Sequence, residues 1–372
     1  MKILQLSVPL HSEKGGRSVL VKELGLELSR LGHDVLWAHE EVLTQGEGVS
    51  ESSDHLRIPI KELGPGSDQH ALSEFVESLR SFMDNHRPDI IHCHRIGAIE
   101  ALVLSKVVVA RGIPVIYTEH EAPIRGEQEF FLKRKDLFAR FDRVILPSRA
   151  SHLMNCRLFP DIANKLVSIS NGLSSLPSRT SAVRPMTAFF SGRHNNEKGL
   201  RWLLEAWLQV VDSVPEAVLT VAGEGPETEE LTRWGLDHGL AENIQWLGWL
   251  GHEESRVLAA THQIVIVPSL WEEPFGLAAL EASAGGRPAI VSAVGALPEI
   301  VEHERTGLHV EPGDTEGLTS AISALLENPA LCDVYGKAGQ EAFEERFTIR
   351  DCARAHVALY DQLIQESIGV SS

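Results

Sequence analysis

What most limits the fold of this chain is its punctuation: short apolar runs alternate with amphipathic stretches of helical period from one end to the other. The run Ile3-Leu4-Gln5-Leu6 is followed by a helical pattern over 18–31 and a second run at 34–38. Further runs stand at 90–94, 114–118, 143–146 and 166–169, with a helix expected over 99–109. Apolar runs this short, separated by helices, predict a parallel sheet covered on both faces, because parallel neighbours are joined by long helical crossovers. The first half therefore reads as one α/β domain.

Residues 173–187 are rich in Ser, Pro and Thr and lack apolar periodicity, which marks a linker. The alternation then restarts, with strands expected at 188–191, 217–222, 244–247, 264–268 and 289–292 and helices continuing to residue 346. The expected organisation is an α/β domain over 1–172, a linker over 173–187, a second α/β domain over 188–346, and a C-terminal helix in 347–372. That helix follows the completed second sheet and is expected to pack back on the first domain. In open parallel sheets ligands bind beyond the carboxyl ends of the strands, where helix N-termini present unpaired N–H groups. Two such Rossmann-like domains facing across a cleft suit a protein that joins two molecules.

Charge separates the halves. Residues 1–180 hold 22 Lys+Arg and 23 Asp+Glu, whereas residues 181–372 hold 12 and 29, so almost all of the net −18 lies in the second half. An acidic half gains little from releasing phosphate counterions, which argues against nucleic acid as a partner. Four widely spaced cysteines, Cys93, Cys156, Cys332 and Cys352, offer no CxxC pair and read as free thiols of a reducing cytoplasm. Gln5 and Ser7 interrupt the N-terminal apolar run, so it does not read as a signal peptide, and no run reaches the ~18 residues of a membrane span.

Four segments carry chemistry. Gly15-Gly16 stands between the first strand and the first helix, where backbone can approach an anion; a plain turn is the alternative. Gly192-Arg193-His194-Asn195-Asn196-Glu197-Lys198-Gly199 opens the second domain at the same kind of junction. There the fork of Arg193 and the point charge of Lys198 can clamp a diphosphate, against the alternative of a solvated turn. In Glu272-Glu273-Pro274-Phe275-Gly276-Leu277, followed by Glu281, the last carboxylate sits in an apolar helix and needs a hydroxyl or cation partner. His92, His94 and His120 fall at first-domain strand ends; without a third ligand of matching spacing they read as hydrogen-bonding groups, not a metal site.

Taken in order, these segments resemble the GT-B retaining glycosyltransferases of family 4. Gly15-Gly16 with Leu31-Gly32-His33-Asp34-Val35, Asp89-Ile90-Ile91-His92-Cys93-His94, Thr118-Glu119-His120 and Ser170-Asn171-Gly172 are similar to the family's first-domain motifs. Gly192-Arg193 with Glu197-Lys198-Gly199, Gly223-Glu224-Gly225-Pro226, Glu273 with Glu281, and Pro298-Glu299-Ile300-Val301 are similar to those of the second. The resemblance implies transfer of a sugar from a UDP-, GDP- or ADP-linked donor to an acceptor hydroxyl with retention. Arg193 and Lys198 would bind the diphosphate with the N–H groups near Gly15 and Gly16, and Glu281 the ribose. Glu273 would contact the sugar with the backbone of Phe275, Gly276 and Leu277, and the segment ending at Trp249 the base. His120 would lie over the sugar, with His94 or Glu119 near the acceptor. Asp-x-Asp is absent, so no metal and no cofactor is expected. Leu173-Ser174 and Gly295-Ala296 depart from the family's pattern, which leaves the sugar open.

Competing functions on the same frame are a nucleotide-sugar epimerase, a sugar phosphorylase and a non-catalytic nucleotide-sugar binder. The acceptor is expected to be a sugar, a lipid-linked group or a small molecule. The basic, aromatic stretch 130–141 suggests a peripheral contact with an anionic membrane, against the plainer alternative of an amphipathic helix with a solvated basic face.

Overall fold

The computed structural model describes residues 1–7, 16–41, 55–59, 69–94, 112–121, 134–176 and 182–370. They form two compact units, one of Met1–Gly172 with Ile349–Ser372 and one of Leu173–Thr348. Gly15, the helix expected over 99–109 and residues 130–133 lie outside the described residues.

The first unit is built on β1 (Lys2–Ser7), β2 (Asp34–Glu41), β3 (His55–Pro59), β4 (Ile90–Cys93), β5 (Val115–Thr118), β6 (Arg143–Leu146) and β7 (Leu166–Ser168). All pair in parallel, in the order β3-β2-β1-β4-β5-β6-β7. Alternate side chains of β1, β2, β4 and β6 enter different cores, as the two-residue period requires. Leu4, Leu36, Ile91 and Val144 pack with Phe82, Phe138, Phe141 and Phe159. Ile3, Val35, Ile90 and Ile145 pack instead with Val21, Leu24 and Leu28 of helix Gly16–Arg30 and with Ala353, Tyr360 and Leu363 of the C-terminal helix Ile349–Val370.

The second unit carries β8 (Arg184–Ser191), β9 (Val218–Ala222), β10 (Ile244–Gly248), β11 (His262–Val267), β12 (Ala289–Ser292) and β13 (Gly307–Val310), parallel in the order β10-β9-β8-β11-β12-β13. Trp202, Leu203, Trp207 and Val210 of helix Leu200–Ser213, and Leu318, Ile322 and Leu325 of helix Thr315–Leu326, cover it. β3 and β13 fall outside the expected strands. Both end their sheets, and edge strands tolerate polar residues such as His55, Arg57 and His309.

Within the interval 173–187, Leu173 is fully buried and bridges Thr348, and Arg184–Thr187 begin β8. The described part of the stretch 130–141, residues 134–141, does not support the membrane contact expected of it. Phe138 and Phe141 lie in the first unit's core, each contributing about 1.5–3 kcal/mol by burial, and Lys135 pairs with Asp161. Arg134 is buried between two carboxylates. These apolar side chains are spent inside the unit and are not offered to lipid. No described helix is long and apolar enough to cross a membrane.

Candidate active site

The order of strands reverses between β1 and β4 in the first sheet and between β8 and β11 in the second. Such reversals open a crevice at the carboxyl ends of the strands, where ligands bind. The candidate residues gather at these two places.

In the second unit two loops meet there, 192–199 after β8 and 268–276 after β11. The Leu270 N–H donates to the Glu197 carbonyl at 2.8 Å. Gly199, at φ 67°, begins the next helix so close to the other loop that a Cβ would lie 1.8 Å from the Pro268 carbonyl oxygen. This locking explains the Glu-Lys-Gly sequence: Glu197 lends its carbonyl, Lys198 its charge, and only glycine fits third. The Lys198 Nζ donates to Glu273 Oε1 at 2.5 Å, and the Ser269 hydroxyl donates to the same oxygen at 2.6 Å. Lys198 also stands 5.1 Å from the Trp271 ring centre. Glu273 is 6% exposed, so a cation and a hydroxyl meet the need of a carboxylate taken out of water.

Behind this pair lies Gly295, at φ 55°, where a Cβ would come 2.4 Å from the Glu273 carbonyl oxygen. Ala296 donates its N–H to that oxygen at 2.9 Å and is fully buried. Arg193 is exposed and makes no ion pair among the described residues. Glu281 is buried in helix Leu277–Ala284, and its partner is His252 Nδ1 at 3.1 Å. Phe275 is buried, Gly276 (φ 107°) caps that helix, and Leu277 opens it. Trp249 follows β10 at the carboxyl edge of the same sheet, two strands from β8.

In the first unit Gly16 begins helix Gly16–Arg30, which lies between β1 and β2. His94 directly follows β4, His120 lies two residues beyond β5, and the two face each other, Nδ1 to Nε2, at 3.4 Å. The far nitrogen of His94 is 2.6 Å from the Gln5 amide oxygen on β1. His92 is bonded on both nitrogens at 2.7 Å, to the hydroxyls of Tyr360 and Thr118. Burial lowers the pKa of all these rings, His120 to about 3, and the neighbouring histidines lower His92 and His94 further. The cluster is a set of neutral imidazoles.

Glu119 is fully engaged. Its Oε2 accepts from Arg134 at 2.7 Å and its Oε1 from the Glu121 N–H at 2.9 Å. Burial raises its pKa to about 6, with Arg134 opposing. Arg134 and Arg17 both hold Glu121, each at 2.8 Å, so the loop after β5 is tied to the start of the first helix.

Several of these residues escaped the sequence reading. Ser269 and Trp271 precede the Glu273 motif without belonging to it. Tyr360, 268 positions from His92, and His356, on the same helix, have a signal only in hindsight: Cys352, His356 and Tyr360 recur every four residues on one helical face.

Two family models match the chain in succession, Glycosyltransferase Family 4 over residues 14–174 and Glycosyl transferases group 1 over residues 177–342. The glycogen synthase of Mycobacterium tuberculosis is 25% identical over 93% of this chain and 91% of its own length. Among solved structures, sucrose-phosphate synthase from Thermosynechococcus elongatus superposes with a TM-score of 0.80 at 24% identity, covering 98% of this chain and 100% of that one. Anabaena HepE in complex with UDP and glucose superposes with a TM-score of 0.76 at 19% identity, covering 97% and 99%.

Proposed function

Starting from a chain that is a glycosyltransferase of the GT-B fold, Family 4 in its first unit and group 1 in its second, we propose that it moves a sugar from a nucleoside-diphosphate donor to an acceptor hydroxyl, with retention and without a metal ion. One observation carries the reading: Lys198 is held by Glu273, itself fixed by Ser269, at the β8/β11 crevice, with Arg193 exposed on the same loop.

An ammonium has three donors, and Glu273 takes one from Lys198, which leaves two for phosphate oxygens. Arg193 adds a planar fork suited to the same oxygens. As the bond from the anomeric carbon to the diphosphate breaks, negative charge grows on the leaving group. Fixed cations and N–H groups aimed there lower the barrier. The acceptor oxygen attacks on the face the diphosphate leaves, and a phosphate oxygen takes its proton. Glu281 receives the ribose hydroxyls, Glu273 and the backbone at Phe275, Gly276 and Leu277 the donor sugar, and the segment at Trp249 the base. His120 lies over the sugar and His94 on the acceptor side. Glu119 anchors the loop that carries His120. The four free cysteines suit a reducing, cytoplasmic setting. HepE holds UDP and glucose, which makes UDP-glucose the first donor to try.

Thermal stabilisation by UDP, GDP and ADP, with and without EDTA, tests the proposal. A ligand at about 100 times its Kd adds about 2.7 kcal/mol. The expected result is a shift with one nucleotide, indifferent to EDTA and lost in Arg193→Ala. A shift that needs a divalent ion refutes the metal-free clamp.

A further inference from the structure

The first unit holds a recess beside His94 and His120, and His356, which also lines it, has no role in the proposed transfer. Val21 and Leu24 form one wall, His94, His120 and Asn171 another, and His356 of the C-terminal helix a third. Its space for the centre of a water-sized sphere is about 10 Å³, the scale of a single oxygen-sized group.

His356 is 3% exposed. Its Nδ1 lies 2.8 Å from the Cys352 carbonyl, which can only accept, so Nδ1 carries the proton. Burial keeps the ring neutral, its pKa lowered to about 4. Its Nε2 is therefore a bare lone pair, and that atom is buried with no hydrogen-bond partner among the described residues. The neighbouring rings cannot supply a proton to it. His94 donates from Nε2 to Gln5 and accepts at Nδ1 from the Nε2–H of His120, which leaves His120 Nδ1 an acceptor as well. The recess thus presents ring lone pairs opposite aliphatic side chains, with the Asn171 amide and the Thr118 hydroxyl also in its lining. Such lining holds neither a cationic side chain nor a carboxylate among the described residues, so it suits neither an anion nor a free ammonium.

We propose that this recess is a binding site for one neutral O–H donor, which gives its hydrogen bond to His356 Nε2. The group is a sugar hydroxyl or a resident water. The sugar source rests on the reading of the first unit as the sugar-facing half of a transferase; the site itself does not. An unmet buried acceptor is costly, so the site is occupied in one of these two ways.

High-resolution crystals of the full chain, grown without sugar and soaked with glucose as the probe, decide between the sources. An ordered oxygen within about 3.2 Å of Nε2 before soaking, and unmoved by it, assigns the water. A glucose hydroxyl at that position after soaking assigns the sugar. Nε2 without an oxygen in either crystal overturns the proposal. In the sugar case His356→Leu weakens glucose binding roughly 2- to 12-fold, and His356→Gln, whose amide oxygen accepts, recovers most of the loss. UDP binding, a property of the second unit, stays unchanged in both. Failure of every nucleotide to bind the wild type would strike the transferase reading while leaving the oxygen at Nε2 to be judged separately.

Discussion

Acid should unfold the first unit from within, through its buried histidines. In the unfolded chain each titrates near 6.5. In the folded chain burial holds His120 to about 3, His356 to about 4, and His92 and His94 well below the ordinary value. A depressed pKa means that the stabilisation is whole above about pH 6.5 and is lost as pH falls toward the folded value, because only the unfolded state binds the proton. Each such histidine makes stability fall by about 1.4 kcal/mol per pH unit. Glu119 works the other way: raised from 4.5 to about 6, it binds a proton first in the folded state and adds stability between those values. From pH 6 to 4.5 the balance is one net proton if His120 and His356 alone are set against Glu119, and three if His92 and His94 join them. The slope is then about 1.4 to 4 kcal/mol per pH unit, or about 2 to 6 kcal/mol over the window, against a typical total of about 5–15. Hydrogen exchange of the β4 and β5 amides, corrected for intrinsic rates, reads the first unit alone. His356→Gln should flatten the slope by about 1.4 kcal/mol per pH unit. A wild-type slope near zero, or a slope unchanged in His356→Gln, would refute the reasoning.

Other expectations follow from single contacts. Arg134→Ala strands the buried Glu119 and should cost the first unit about 3–5 kcal/mol in urea unfolding, with much of the loss recovered by adding Glu119→Gln; equal stability of the single and double variants would count against the pairing. Lys198→Ala should abolish nucleotide-induced stabilisation, and adding Glu273→Gln should restore melting temperature without restoring binding. Gly295→Ala forces a side chain into a left-handed backbone against Glu273, so donor binding should weaken while secondary structure by circular dichroism is kept; unchanged binding would show the Glu273 loop to be tolerant.

Much of this architecture is written in local pattern. Short apolar runs such as Ile3-Leu4-Gln5-Leu6 announce parallel strands, and the loop of Arg193 and Lys198 stands where a strand gives way to a helix. What stayed hidden is what periodicity does not encode. A basic, aromatic stretch does not say which cation turns inward, so Arg134 reads as part of a solvated basic face although it meets the buried Glu119. β3 and β13 lack apolar runs because edge strands do not need them. Tyr360 and His356 join a cluster on strands far earlier in the chain, a meeting set by tertiary packing of the last helix.

The central claim, metal-free transfer with retention, is tested most directly by letting water stand in for the acceptor. The protein is incubated in EDTA with the α-linked nucleoside-diphosphate glucose chosen by the stabilisation panel, and the first sugar released is read by proton NMR before it mutarotates. The account predicts α-glucose, at a rate that added Mg²⁺ does not change and that Arg193→Ala abolishes. Release of β-glucose, or release that appears only with Mg²⁺, would contradict it.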